Sequence, residues 1–254
     1  MRNKTSWQSV HSWYDKHQKE GGGYYHREVI LPKLLNALKL NSECRVLDLG
    51  CGEGILGRKL SEVSSYLGID ASVGLIKNAK QKDTNTSHRY QVGDVTKELK
   101  APNDFTHAFF ILSLQNISHP QKALENVWNH LEENGSLTLV LNHPCFRIPK
   151  HSSWGFDAQE KKQFRRLERY SSPFRTSIQA HPSQNDRSPA TLSFHRPLSL
   201  FFTFLKEAGF CVEDFAELCS NKKSYGKMAR AENYARDEFP LFAVLHCRKL
   251  SKKN

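Results

Sequence analysis

The 254-residue sequence lacks long apolar runs and any cysteine pattern typical of metal or disulfide sites. No stretch reaches the roughly eighteen uninterrupted apolar residues that a membrane-spanning helix requires, and the first residues lack the apolar segment of a secretory signal. The six cysteines are scattered and form no CxxC pair, which argues against a zinc centre and against a disulfide scaffold. These absences predict a cytoplasmic protein with no metal site and no membrane span.

Positive charge is in excess, with 37 Lys and Arg against 26 Asp and Glu and a formal charge of +11. Such an excess favours an acidic partner, either nucleic acid, a phosphorylated substrate or an anionic membrane surface. Much of it lies in residues 143–196, where ten Lys and Arg oppose four Asp and Glu, a net +6. Aromatic residues are interleaved with these charges. The segment could therefore bind nucleic acid or cover a flat, acidic small molecule.

Strands and helices alternate from residue 45 onward, which predicts an α/β fold with a parallel sheet. The predicted strands cover residues 45–49, 66–70, 89–92, 107–114, 137–141, 210–212 and 239–246. The predicted helices carry Ile55 to Leu60, follow Ser72, and cover 121–131 and 198–208. We expect one domain over residues 1–254, built on a Rossmann-like, seven-stranded, mostly parallel sheet with helices on both faces. Its last two strands should form a reversed hairpin.

Two segments fall outside this alternation. Residues 1–40 predict an N-terminal helical cap with an apolar face from Tyr25 to Leu38, preceded by an aromatic leader (Trp7, Trp13 and Tyr14) and a glycine loop. Pro32 predicts a kink or a later helix start near Leu31. Residues 143–196 lack strand periodicity and predict an inserted substrate-binding or lid segment with one basic helix at 160–170.

A glycine-rich loop follows the first predicted strand, at Asp48-Leu49-Gly50-Cys51-Gly52-Glu53-Gly54. Glycines permit a sharp turn and close approach of a ligand, and the next helix would offer its amides to an anion. The run Gly52 to Gly57 also matches the GxGxxG pattern of dinucleotide enzymes. However, Asp48 and Asp70 lie at the ends of the first two strands and Asp94 just past the third, and carboxylates would repel a pyrophosphate. Three acids at one sheet edge favour a ligand that carries positive charge.

The loop and its neighbours resemble the motifs of class I, Rossmann-like methyltransferases that use S-adenosyl-L-methionine. Residues 46–54 resemble the first motif, 68–72 the ribose-binding strand, 93–95 the adenine-contacting turn, and 109–117 the fourth strand of the UbiE-like small-molecule branch. The resemblance assigns Asp70 to the ribose hydroxyls, Asp94 to the adenine amine and Asp48 to the methionine ammonium. The cofactor-binding residues that it implies are Asp48, Gly50, Cys51, Gly52, Asp70, Ala71, Asp94, Val95 and Leu112.

Candidates for the chemistry lie in the insertion and next to it. His143 follows the fifth strand and could accept a proton, or it could order the start of the insertion. His195 and Arg196 could face the acceptor, with Arg196 pairing to an acidic group, or they could cap the following helix. Tyr170 is the third catalytic candidate, and Tyr25 and Trp154 are further substrate candidates. Cys145 could act as the nucleophile of an RNA cytosine methyltransferase, but only a dipeptide matches, so a buried structural role is favoured.

The sequence therefore predicts a methyltransferase that acts on a small aromatic or acidic metabolite. An RNA methyltransferase that binds phosphates through the basic insertion is the first alternative. A non-catalytic cofactor-binding partner subunit is the second. The acceptor, the methylated atom, the general base and the oligomeric state are not specified by the sequence.

Overall fold

The computed structural model of the protein describes residues 23–179 and 190–251. The predicted aromatic leader, Gly21, Gly22 and the basic residue Arg187 lie outside these ranges. Among the described helices, none is both long and apolar enough to cross a membrane. The same residues contain no group of three or more potential metal ligands.

A seven-stranded sheet forms the centre of the molecule. Its strands are β1 (Arg45–Leu49), β2 (Ser65–Asp70), β3 (His88–Val92), β4 (Phe105–Ile111), β5 (Leu131–Asn142), β10 (Phe210–Leu218) and β11 (Phe242–Lys249). They are arranged in the order β10-β11-β5-β4-β1-β2-β3. Strands β1 to β5 are parallel to one another, whereas β11 runs antiparallel to both β5 and β10. The predicted Rossmann-like sheet with a reversed final hairpin is confirmed.

Helices cover both faces of this sheet. They are α1 (Leu31–Leu38), α2 (Val73–Lys82), α3 (Pro120–His130), α4 (Leu198–Glu207) and α5 (Ala229–Glu238). Successive side chains of a strand point to opposite faces: Leu47 and Leu49 join the core cluster that contains residues of α3 and α4. Val46 joins the cluster that contains residues of α1 and α2. Burial on two faces explains why the strands are nearly continuous apolar runs.

The N-terminal helix begins as a π-helical turn at His26–Ile30 and continues as α1. Pro32 lies in the first turn of α1, directly after the π-helical turn. Proline cannot donate to the helical hydrogen-bond ladder, and the change of helix type at Leu31 lies where a kink or a later helix start was predicted. Val29 and Leu34 pack against Phe242 of β11. The helix is thereby fixed over the β5–β11 part of the sheet.

The helix predicted directly after the glycine loop is wrong. The chain forms only one 3₁₀ turn, Gly57–Lys59, before it enters β2. Gly50, Gly52 and Gly54 all have positive φ, and glycine is among the poorest helix formers. An amide cluster at the start of a long helix is therefore not available to a ligand at this loop.

The insertion contains two β-hairpins instead of the predicted basic helix at 160–170. The first joins β6 (Ser152–Asp157) to β7 (Lys162–Leu167), and the second joins β8 (Phe174–Gln179) to β9 (Ala190–His195). Lys161 and Arg169 have positive φ, which a helix cannot accommodate. The guanidinium of Arg165 lies 4.8 Å from the ring centroid of its cross-strand partner Trp154, a contact that stabilises the hairpin.

The sequence did not predict α5, which precedes β11. Its residues pack against β7, and Phe239 directly after it contacts Trp154 edge-on at 5.4 Å. The first hairpin is therefore held on the β11 side of the sheet.

Candidate active site

A cavity of about 830 Å³ opens at the carboxyl ends of β1, β2, β4 and β5. This is the edge at which open α/β sheets bind their ligands. All nine residues predicted to bind the cofactor line it: Asp48, Gly50, Cys51, Gly52, Asp70, Ala71, Asp94, Val95 and Leu112. The sheet thus brings together residues that are up to 64 positions apart in sequence (Asp48 to Leu112).

Two glycines of the loop have different structural requirements. Gly50 has φ +72, and a Cβ placed on it would lie 2.4 Å from the Cβ of Ser113. Gly52 has φ +57, but its hypothetical Cβ meets no atom within 4 Å because it faces open space in the cavity. Gly50 is therefore required by the packing of the protein itself, whereas the bare backbone of Gly52 leaves room for a ligand.

Asp70 and Asp48 are the two carboxylates at the base of the cavity. Asp70 accepts hydrogen bonds from the backbone amides of Gly52 at 3.0 Å and Ser72 at 2.8 Å, so the loop is pinned to the end of β2. Asp48 is buried and accepts one hydrogen bond, from the hydroxyl of Tyr66 at 2.6 Å. Burial raises the pKa of the Asp48 carboxyl to about 7, with a smaller raising effect from Asp70. Burial also raises the pKa of Asp70, against the lowering effect of its two amide donors.

These carboxylates fit a cationic ligand. Among the described residues, no Lys or Arg side chain has a marked influence on the pKa of either group, so the two acids share a buried site without a counter-charge from that part of the chain. Buried charges are normally paired, and a ligand with an ammonium or sulfonium group would supply the pairing. Asp94, which lies just past β3, accepts hydrogen bonds at Oδ1 from the backbone amide and the hydroxyl of Thr96.

The turn after β4 forms another wall. Leu112 has φ +54, a strained conformation for a branched side chain, and its amide donates to the carbonyl of Val140 at 2.8 Å. The hydroxyl of Ser113 donates to the carbonyl of Leu49 at 2.7 Å. Gln115, only 7 % exposed, lines the same cavity, and its Oε1 has no hydrogen-bond partner among the described residues.

The far end of the cavity is formed by residues that sequence reasoning did not assign to the site. They are His26, Gln115, Asn142, Arg147, Ile178 and Gln179. Burial lowers the pKa of His26 to about 4, so this imidazole is neutral at physiological pH. Arg147 was visible only as one of the ten basic residues of the insertion. Apart from Gln115, which lies in the fourth-strand motif at 109–117, no local motif marks these positions, because they are brought to the cavity by packing between distant segments.

The three predicted catalytic residues do not line the cavity. His143 accepts the amide of Cys145 at Nδ1 (3.2 Å), which leaves the proton on Nε2 to donate to Glu217 at 2.6 Å. His195 lies 2.7 Å through Nε2 from the carbonyl of Tyr170, and the Tyr170 hydroxyl accepts the amide of Leu198 at 3.1 Å. These bonds connect the insertion to β10 and to α4, and the catalytic roles remain predictions.

The predicted substrate residues also lie outside the lining. Arg196 donates to the carbonyls of Ile117 and Ser118 at 2.8 and 3.1 Å, so it positions a turn that does line the cavity. The hydroxyl of Tyr25 lies 3.3 Å from that of Ser220, and Trp154 is 40 % exposed on the first hairpin. Their contact with a substrate remains a prediction.

The cysteines also bear on the chemistry. Burial raises the pKa of Cys51 well above its ordinary value, so this cavity residue is a protonated thiol and a poor nucleophile. Cys145 is half-buried and its Sγ lies 3.5 Å from the hydroxyl of Tyr170. It does not belong to the residues that line the cavity.

A comparison with protein families finds a match that covers the glycine loop and the strands around it. Residues 46–135 match a family described as a methyltransferase domain. No curated protein matches the chain in sequence.

Solved structures share the fold over most of the chain. An S-adenosylmethionine-dependent methyltransferase from Mesorhizobium loti is 22% identical, with a TM-score of 0.67 over 85% of this chain and 96% of that one. A protein from Listeria monocytogenes described in the same terms is 22% identical, with a TM-score of 0.63 over 85% and 98%. The CcbJ methyltransferase from Streptomyces caelestis is 15% identical, with a TM-score of 0.62 over 97% and 99%.

Proposed function

We propose that this chain, whose residues 46–135 match a methyltransferase domain, is a class I S-adenosylmethionine-dependent methyltransferase that methylates a small aromatic or acidic metabolite. The match to that domain and the carboxylates that line the cavity support the enzyme class and the cofactor. The acceptor class is our inference from the shape and charge of the cavity.

One observation carries the proposal: the cofactor residues and the far wall line a single cavity of about 830 Å³. That volume lies in the upper part of the range found for small-molecule and cofactor sites. The far wall combines apolar, amide and basic groups (Ile178, Asn142 and Arg147). Space beside the cofactor residues therefore exists for a compact second ligand.

In this arrangement the protein acts mainly by positioning. S-adenosylmethionine supplies the methyl group from its sulfonium centre, and the acceptor displaces a neutral thioether. Asp48, Asp70 and Asp94 would hold the ammonium, the ribose hydroxyls and the adenine amine. The far wall would hold the acceptor in line with the methyl group, which is the main source of acceleration for such a displacement.

The exposed face of the first hairpin supports RNA as an alternative acceptor. Lys161, Lys162 and Arg166 are exposed there, beside Phe156 and Phe164 at 43 and 47 % exposure. Exposed basic and aromatic side chains can bind a single strand by phosphate contacts and stacking. Unlike Arg147, these residues do not line the cavity.

Methyl transfer from S-adenosylmethionine labelled in its methyl group distinguishes the two acceptors. The protein is incubated with the small-molecule filtrate of a cell extract, with total RNA, or with both. We expect label in the filtrate fraction only, and none with the Asp70→Ala variant as the cofactor-binding control. Label in RNA, reduced by Lys161→Gln with Arg166→Gln and weakened steeply by salt, would reject the proposal.

A further inference from the structure

We infer that the guanidinium of Arg147 binds an acidic group of the methyl acceptor, so that the enzyme selects acceptors that carry a carboxylate or a similar anion. This inference rests on the proposed function, because it places the acceptor at the far end of the cofactor cavity. It assigns a specificity-determining role to a residue that no motif marks.

The first argument is an unbalanced charge. Arg147 lines the cavity, and among the described residues no carboxylate forms an ion pair with it. The pKa of Arg147 is influenced most by its burial and then by Tyr25 and Arg165, and none of these is an Asp or Glu. Burial lowers the pKa of Arg147 to about 10, which still leaves the side chain charged. A partly buried cation without a counter-ion is costly, and an anionic ligand removes that cost.

The second argument is orientation. One Nη1 donor of Arg147 bonds to Oδ1 of Asn142 at the end of β5, and the guanidinium lies 5.3 Å from the ring centroid of Phe242. These two contacts hold the side chain on the wall of the cavity. A guanidinium has five N–H donors, so its one hydrogen bond among the described residues leaves donors for a bidentate carboxylate.

The third argument comes from Gln115 on the turn after β4. Its Oε1 is buried without a partner although the side chain lines the same cavity. Buried polar atoms without a partner are rare in folded proteins, and a ligand donor would satisfy this one. A hydroxyl or amino group elsewhere on an acidic acceptor has that property.

The carboxylate that binds Arg147 could also be that of the methionine part of the cofactor. The charge of the loop argues for the acceptor: Asp48 is the residue that would hold the methionine ammonium, and Arg147 influences the pKa of neither Asp48 nor Asp70. Two ligands separate these cases. S-adenosylhomocysteine carries the methionine carboxylate, whereas 5′-methylthioadenosine lacks the whole amino-acid part.

The test uses the full protein with S-adenosylhomocysteine bound and acetate, benzoate and neutral benzamide as probes. Wild type is compared with Arg147→Gln, with the charge-preserving Arg147→Lys, and with Arg165→Gln as the matched control. Arg165 belongs to the same insertion, but it donates to the carbonyl of Phe146 and to Ser152 and does not line the cavity. Binding is measured by calorimetry, and the Nε–H resonance of Arg147 is followed by NMR in the wild type.

We expect acetate and benzoate to bind to the wild type and to shift the Arg147 resonance, while benzamide binds far more weakly. Arg147→Gln should weaken anion binding by about tenfold to a hundredfold, as for the loss of a charge-assisted hydrogen bond. Arg147→Lys should keep part of it, and Arg165→Gln should weaken it far less than Arg147→Gln does, because Arg165 influences Arg147 only through its charge and does not line the cavity. The affinities for S-adenosylhomocysteine and for 5′-methylthioadenosine should be unchanged in Arg147→Gln.

Three results would overturn the inference. They are the absence of acetate binding and of any resonance shift in the wild type, equal anion affinity in wild type and Arg147→Gln, or a loss of affinity for S-adenosylhomocysteine alone. The last would assign Arg147 to the cofactor. If Arg147→Gln does not fold, the wild-type titration and Arg147→Lys still decide. Failure of the proposed function is seen separately, as label in RNA while acetate still binds at Arg147.

Discussion

Asp48→Asn should stabilise the protein without cofactor at alkaline pH and weaken cofactor binding at the same time. The carboxyl of Asp48 is 3 % exposed and has one hydrogen-bond donor, the hydroxyl of Tyr66. Asparagine keeps the shape and can still accept that hydrogen bond. The substitution therefore removes a buried charge and little else.

The magnitude follows from the difference in pKa between the folded and unfolded states. Burial raises the pKa of Asp48 from 3.8 to about 7, so between these values the folded protein binds a proton that the unfolded chain does not. The contribution of the Asp48 carboxyl to the free energy of unfolding is therefore greatest below about pH 4. It decreases as the pH rises and is lost above about pH 7. At 1.36 kcal/mol for each step of one in pKa, the loss is on the order of 4 kcal/mol.

Urea denaturation at half-unit steps between pH 5 and pH 8 measures this effect. The free energy of unfolding of Asp48→Asn minus that of the wild type should increase by about 1 kcal/mol per pH unit up to pH 7 and then level off. Groups that do not interact with Asp48 cancel in the difference, whereas Asp70 is coupled to Asp48 by charge, so the slope measures this pair of carboxylates. Asp214→Asn, an exposed carboxylate on β10, is the control and should show no such slope.

Cofactor binding should have the opposite pH dependence. The ammonium group of S-adenosylhomocysteine favours the ionised carboxylate, so wild-type affinity should fall as the pH drops below 7, by up to about tenfold per unit. Asp48→Asn should bind more weakly at pH 8 and show little pH dependence. A stability difference that is constant from pH 5 to 8 would refute the reasoning, as would tighter binding at low pH.

Two further predictions concern the cofactor side of the cavity. Asp70→Ala should weaken S-adenosylhomocysteine binding by about tenfold to a hundredfold, because it removes charge-assisted bonds; an unchanged dissociation constant in calorimetry would place Asp70 outside the site. Gly50→Ala should lower the melting temperature through its contact with Ser113 and its φ of +72. Gly52 has a similar φ of +57 but faces open space. Gly52→Ala should therefore lower the melting temperature less than Gly50→Ala does and weaken cofactor binding more. Equal effects on melting would contradict the difference in packing.

The alternation of strands and helices, together with local motifs, was sufficient to predict the sheet and the predicted cofactor-binding residues that line the cavity. The order of strands and helices from residue 45 determines a parallel sheet, and in such a sheet consecutive strand ends meet at one edge. Asp48 and Asp70 lie in the last two residues of β1 and β2, and Asp94 lies two residues after β3, so their convergence required no knowledge of packing. The contacts of Gly50 with Ser113 could not be read from the loop itself.

The insertion shows the limit of this reasoning. Residues 160–170 have helix-forming composition, yet they form a turn and β7, since Trp154 pairs with Arg165 across the hairpin and contacts Phe239 after α5. Secondary structure here is decided by tertiary contacts that outweigh weak local propensities.

The rest of the cavity wall was decided by tertiary structure alone. His143 follows the fifth strand and Arg196 lies where the insertion returns to the core, but their polar atoms bond to Glu217 and to the carbonyls of Ile117 and Ser118. His26 and Arg147, which do line the cavity, are 121 positions apart. The sequence determined the fold and the cofactor by itself because contiguous motifs encode both. Only the packing of the N-terminal helix and the insertion over the sheet decided which further side chains line the cavity, since that depends on contacts between segments with no shared local pattern.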